Sequence, residues 1–295
     1  WMAIGHASYH NLEYAEATQS YQRALAKLKG YNRLDALAGL AKSTTFEGTP
    51  QALSYAQEAI ALINAQPTPD QTLLAMMHTL HARTLLNQGK AAEAHKTMQS
   101  ALRLSGGLTT SNVKLTDMIL RSDLAMAALQ AGQKQLAQTY LAYTGVGRQK
   151  EARFSIGSMP LPSCSQETGL RPEDVAVVEF ALSDDGQVEA SQTIFSRAGP
   201  QAAAVFAKAV RDWRWKAEEA AKISPIFRAN MRFELRCSTA PQGTSVLFGP
   251  LAQRLQNWSR GPLHMYNGRD LREEDLRKIS SDIKITVEAR IAALA

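Results

Sequence analysis

Apolar and polar residues along this 295-residue chain follow two periods, and the change falls near Pro172. From Trp1 to about Gly145 the apolar positions recur at helical spacing in a background of Ala, Leu, Gln and Lys. One block of small and bulky residues returns along this half. It reads EYAEATQSYQRAL over Glu13–Leu25, PQALSYAQEAIAL over Pro50–Leu62 and KAAEAHKTMQSAL over Lys90–Leu102. A shorter form, QKQLAQTYLA, spans Gln133–Ala142, and Gly48, Gly89 and Gly132 mark turns ahead of the last three. Small residues let paired helices approach, and a bulky one fills the gap to the next pair, so the pattern predicts antiparallel helix pairs over residues 1–145.

After Gly145 a polar stretch reads as a linker, residues 146–163, including Val146–Ser158 and then MPLPSC. The period then becomes two. In Val175–Leu182 the residues Ala176, Val178, Phe180 and Leu182 share one face; SDDGQ follows as a tight turn at Asp185-Gly186; and Gln187–Phe195 places Val188, Ala190 and Ile194 together. Gly199-Pro200 opens a helix with Ala202, Phe206, Ala209, Val210 and Trp213 on one face, ending near Trp213-Arg214-Trp215. Arg228–Cys237 alternates throughout, with Ala229, Met231, Phe233, Leu235 and Cys237 facing a core and Arg228, Asn230, Arg232, Glu234 and Arg236 facing solvent. The expected fold class is therefore α+β: helix pairs (1–145), a ββαβ unit (164–237), then a helical extension (238–295) with helices over Ser245–Trp258 and Asp270–Ala293.

The first half resembles tetratricopeptide repeats, through Trp1, Ile4, Gly5, Ala17, Tyr21 and Ala24 in one unit and Ala82, Leu85, Gly89, Ala94, Met98 and Ala101 in another. Leu124, Ala125, Gly132, Ala137 and Leu141 fit a further unit, and Ala52, Ala56 and Ala59 a looser one. The helix-B alanines step by 35, 42 and 43 residues, longer than the family's period of about 34, with the extra length at Gln66–Pro69 and Gly106–Asn112. The resemblance implies an α-solenoid whose concave face binds peptides or proteins; a generic stack of helical hairpins is the plainer alternative.

The second half resembles the C-terminal domain of TonB-type energy transducers. The matching steps, in order, are Asp185-Gly186-Gln187-Val188, Trp213 with Trp215, and Arg232-Phe233-Glu234-Leu235. That resemblance implies a periplasmic protein that pairs a sheet edge with a partner strand, such as the N-terminal peptide of an outer-membrane receptor. It places the edge on Arg228–Cys237, with Arg228, Asn230, Met231, Arg232, Glu234 and Arg236 as partner-binding residues. LPSC stands where the family has Tyr-Pro, which favours the second reading, a scaffold of an envelope complex with no energy-transducing role.

Composition narrows the remaining classes. Hydrophobic residues make up 45% and charged residues 20%, an ordinary globular balance. The net charge is +6, and most of it lies in residues 1–150, with 14 Lys+Arg against 9 Asp+Glu, a bias that suits acidic partners, anionic lipid or a polyanionic wall. No basic run is interleaved with aromatics, so no nucleic-acid partner is expected. No apolar run reaches 18 residues. The chain opens inside a helical pattern without Met, as a processed or truncated end does, which leaves room for a signal or membrane anchor upstream of residue 1.

Candidate chemistry is sparse. His6 with His10 and His78 with His81 have helical spacing for a metal but lack acidic or thiol partners, Asp184-Asp185 fits a turn, and Trp213 fits a core better than a sugar platform. We expect no catalytic constellation, no metal and no cofactor. Cys164 precedes the first strand and Cys237 ends the third, positions that a three-stranded sheet makes neighbours, so a disulfide is expected in an oxidising compartment.

Overall fold

The computed structural model describes residues 1–109, 113–145 and 156–239. The expected helices at Ser245–Trp258 and Asp270–Ala293, and most of the expected linker, lie outside the described residues. Trp1–Ala240 forms one compact unit. It is mixed α and β: among the described residues eight α-helices, α1 (Met2–His10), α2 (Tyr14–Leu25), α3 (Leu34–Ser43), α4 (Pro50–Asn64), α5 (Gln71–Asn87), α6 (Ala91–Leu104), α7 (Leu115–Gln130) and α8 (Lys134–Ala142), precede the strands. No strand precedes residue 146 among the described residues, and none of their helices is long and apolar enough to cross a membrane.

Each helix packs on the next in sequence, and the odd-numbered ones also touch one another in a row, α1 on α3, α3 on α5 and α5 on α7. The recurring blocks are the even-numbered helices. Their alanines Ala17, Ala52 and Ala94 have no exposed surface, and Ala137 has 4%. Tyr21 shows why small residues recur. A Cβ placed on Gly5 would lie 2.7 Å from its ring, and one on Gly39 would lie 2.6 Å away, so the ring is wedged between α1 and α3 by two missing side chains. Trp1 and Ile4 remain exposed, with the Arg23 guanidinium 4.6 Å over the Trp1 ring.

Helix ends follow local chemistry. Asp70 caps α5 by accepting from the Thr72 and Leu73 amides at 2.8 and 3.1 Å, and Thr49 caps α4 with Pro50 at its first position. Gly89 (φ 76°) ends α5, and the Lys90 amide then donates back to the Leu85 carbonyl at 2.9 Å.

In the second half, β1 (Ile156–Ser158) lies inside the stretch expected to be linker. It pairs with β4 (Arg214–Trp215), which follows closely on the helix α9 (Gly199–Arg211), whose end falls near Trp213 as expected. The main sheet runs β3 (Val188–Ser196), β2 (Val175–Leu182), β5 (Met231–Arg236), antiparallel throughout, with β2 central. Two short helices, α10 (Ala217–Ala220) and α11 (Pro225–Arg228), lead into β5. Arg228, Ala229 and Asn230 therefore precede the strand, which corrects the expected start at Arg228: the α11 turn, begun by Pro225, holds Arg228 and Ala229 in helical backbone.

One face of the sheet carries Ala176, Val178, Phe180 and Leu182 and packs on α9, as alternation predicts. The β3 face differs. The register slips between Val177 and Val178 and between Ala181 and Leu182, each slip adding a residue to β3. Ser191 and Thr193 consequently face α9, donating to the carbonyls of Ala207 and Ala203 at 2.8 and 2.7 Å, while Ala190 is exposed and Ile194 falls in the bulge. At the hairpin, Gly186 (φ 87°) approaches the Trp215 carbonyl so closely that a side chain would collide with it.

The sheet's second face meets the odd helices. Val177 and Phe195 join the core of α5, α6 and α7. Asn87, the last residue of α5, donates to the Ile194 carbonyl at 3.1 Å and accepts from the Ser196 amide at 2.8 Å, so it satisfies the β3 backbone where the bulge breaks the ladder.

Candidate functional site

β5 has β2 on one side and, among the described residues, no strand on the other. Its register with β2 runs from Val175↔Arg236 to Phe180↔Met231. The residues expected to bind a partner are distributed unevenly around this edge. Met231 is buried in the α9 core, and Arg228 lies on α11. Glu234 and Arg236 are exposed, 3.9 Å apart.

Arg232 corrects the expected solvated face. Its side chain is 13% exposed and sits between the sheet and the helices. It donates to Asp123 of α7 at 2.7 Å and to Glu179 of β2 at 2.6 Å, and reaches the Ile119 carbonyl at 3.3 Å. Arg83 of α5 closes the ring, 3.0 Å from Asp123 and 3.4 Å from Glu179. Asn230, also expected to face a partner, donates to Glu179 at 3.0 Å. Gln192 donates to Glu179 at 2.7 Å and accepts from the Tyr9 hydroxyl of α1 at 3.2 Å. The physical reason is charge balance. Two guanidinium groups and two carboxylates cancel, and each carboxylate oxygen accepts from at least one donor, which makes burial of the set tolerable.

Burial alone would raise the Glu179 carboxyl. The charges of Arg83 and Arg232, with hydrogen bonds from Gln192 and Arg232, outweigh it and hold the group at about 2. Burial pushes Tyr9 up to about 12. Burial works against the Arg83 charge, yet Asp123 and Glu179 raise its pKa on balance. Glu179 and Arg83 therefore stay ionised through the neutral range. Its members had no sequence signal beyond the polar side of the β2 and β5 alternation, since Arg83 and Asp123 lie on helices far away in the chain.

The sulfurs of Cys164 and Cys237 are 2.06 Å apart, bonded just past the end of β5. Beside them the Cys164 amide donates to the Ser238 carbonyl, and the Ser238 amide to the Pro162 carbonyl, both at 2.8 Å. Trp213 has no exposed surface, and its indole donates to the Pro160 carbonyl at 2.9 Å. Asp185 accepts from the Gln187 amide at 3.2 Å, as hairpin turn chemistry. His6 meets the Tyr21 hydroxyl at 3.1 Å and Asp35 at 3.4 Å. Among the described residues no three His, Cys, Asp or Glu side chains gather as a metal cage.

No protein-family model matches the chain, and no curated protein does. Among solved structures, it is similar to BtubC (BKLC) from P. vanneervenii, at 18% identity over 50% of this chain and 60% of that one, with a TM-score of 0.36. A likeness at that level carries no argument about fold or function, and the match spans less than two thirds of BtubC.

Proposed function

We propose that this chain is a non-enzymatic protein-binding module of a Gram-negative envelope, in which a tetratricopeptide-like array carries a domain similar to the TonB C-terminal domain. Its working part is the outer edge of β5, which takes a partner's strand. The observation that carries this reading is the position of β5 as an outer strand with Glu234 and Arg236 exposed on it. Main-chain pairing supplies affinity there, and the two exposed side chains bias the register. Because Met231, Arg232 and Asn230 are engaged inside, the edge reads its partner mainly through backbone. The N-terminal peptide of an outer-membrane receptor is the partner class the TonB resemblance suggests. The disulfide suits the periplasm.

The test is hydrogen exchange on the whole chain with such a peptide. New protection confined to Met231–Arg236 supports strand addition, and a Glu234→Lys/Arg236→Glu double variant should shift affinity without changing the fold. Protection elsewhere, with β5 unchanged, refutes it.

A scaffold without an energy-transducing role is the second reading. The buried ion network favours it, since it ties the sheet to the helices as one body, a geometry suited to holding partners at fixed spacing.

A further inference from the structure

Which backbone groups of β5 face outward follows from the register. The Arg197 amide donates to the Val175 carbonyl at 3.2 Å, so Val175 turns its backbone towards β3. Backbone groups alternate sides along a strand, so Ala176, Val178 and Phe180 turn theirs towards β5. Their partners Leu235, Phe233 and Met231 turn back to β2. Arg232, Glu234 and Arg236 therefore point their N–H and C=O groups outward, and no backbone group of the described residues pairs with them.

Ser238 comes next in this outward series, and there the chain itself meets the edge. Ser163 pairs with Ser238 in parallel: the Cys164 amide donates to the Ser238 carbonyl and the Ser238 amide to the Pro162 carbonyl, both at 2.8 Å. The Cys164–Cys237 bond fastens the two segments at this point. Continued towards the start of β5, the same parallel ladder would bring the amide of residue 162 to the Arg236 carbonyl, and the amide of residue 160 to the Glu234 carbonyl. Both residues are proline and carry no N–H. The Pro160 carbonyl, which the Arg236 amide would need, accepts instead from the Trp213 indole at 2.9 Å. The ladder is thus held at one end by a covalent bond and denied its next two steps by residue type.

We propose that Pro160 and Pro162 are positioning residues that stop the chain from closing its own sheet edge, so that a partner strand takes the steps they decline. This rests on the strand-adding reading of β5 and sets the limits of that site. It offers the outward groups of Arg232, Glu234 and Arg236 and is bounded by Pro162. The partner is an extended segment matching the length of Arg232–Arg236. It supplies N–H groups to the Glu234 and Arg236 carbonyls, so proline is excluded from the partner positions facing them.

The experiment is hydrogen exchange read residue by residue on the full chain, unaltered and as Pro162→Ala, Pro160→Ala and the double variant. Pro160 is exposed and Pro162 half-buried, so the variants should fold, which circular dichroism checks. In the unaltered chain the amides of Arg232, Glu234 and Arg236 should exchange about tenfold or more faster than those of Phe233 and Leu235. Pro162→Ala should create a protected amide at position 162, seated on the Arg236 carbonyl. Pro160→Ala alone should create none, because Pro162 still interrupts the ladder, and the double variant should create both. A receptor N-terminal peptide, used as the probe, should bind Pro162→Ala about fivefold more weakly, the worth of one hydrogen bond, and the double variant about 25-fold more weakly. A new amide at position 162 that exchanges freely, slow exchange at Glu234 and Arg236 in the unaltered chain, or equal peptide binding by the double variant overturns the proposal. If the exchange pattern appears as stated and the peptide binds no form of the chain, the proline stop stands and the receptor-peptide reading falls.

Discussion

Replacing Glu179 with Gln keeps the side chain's size but removes a carboxylate shared by Arg83, Arg232, Asn230 and Gln192. The variant leaves Asp123 alone against two guanidinium groups inside the helix–sheet seam. Breaking a buried ion cluster by deleting one partner costs about 3–5 kcal/mol. The titration gives a second measure. A fall from 4.5 to about 2 is worth roughly 3 kcal/mol at about 1.4 kcal/mol per unit. Because the folded pKa lies below the unfolded one, this stabilisation is complete above about pH 5 and fades as pH falls towards 2. Urea unfolding should therefore show Glu179→Gln less stable by about 3 kcal/mol at pH 7 and by about half that at pH 3. Trp213 and Trp215 fluorescence reports on the sheet and far-ultraviolet dichroism on the helices. In the unaltered protein the two should unfold together. A cost below about 1 kcal/mol at pH 7, or separate wild-type transitions, would refute the claim that this network joins sheet to helices.

Gly39→Ala should destabilise by about 1–3 kcal/mol, since its Cβ would meet the Tyr21 ring at 2.6 Å; a thermal melt measures it, and pairing it with Tyr21→Leu should recover part of the loss. Reducing Cys164–Cys237 should lower stability by up to about 4 kcal/mol, the loop-entropy limit for a sequence separation of 73, and the matched Ser/Ser variant should be insensitive to reductant. Gly186→Ala should slow or weaken hairpin closure, because φ is 87° and the Trp215 carbonyl blocks the side chain; loss of exchange protection at Val188–Ser191 would reveal it. Glu234→Lys/Arg236→Glu should leave urea stability within about 0.5 kcal/mol, as both residues are exposed.

The helix blocks could be read because small residues, the alanines of the even helices above all, mark close approaches, and a small residue is visible in sequence wherever its partner lies. The hairpin could be read because Asp185-Gly186 sits between two alternating runs. Alternation on β5 correctly separates Phe233 and Leu235 from Arg232 and Glu234, but period names a face without saying what covers it. Arg232 is buried because Asp123, 109 residues earlier, waits on the facing helix. The β3 faces were misassigned for a different reason: two inserted residues turn the strand over, and neither Glu189 nor Ile194 is a residue type that signals a bulge. Two-residue pairing such as β1 with β4 is too short to leave a period at all.

The bridge at the end of β5 also decides where tension would travel. A pull applied to the chain after Ser238 arrives at Cys237, crosses the sulfurs to Cys164 and continues towards the helices, so residues 165–236 carry no load. Those residues include every strand of the main sheet and the whole of α9. Pulled from that end, the chain would transmit force around the sheet as through a closed buckle, and β5 could hold a partner strand while its neighbour segment was under strain. Reduction would open the buckle, and the same pull would then peel β5 from β2 first.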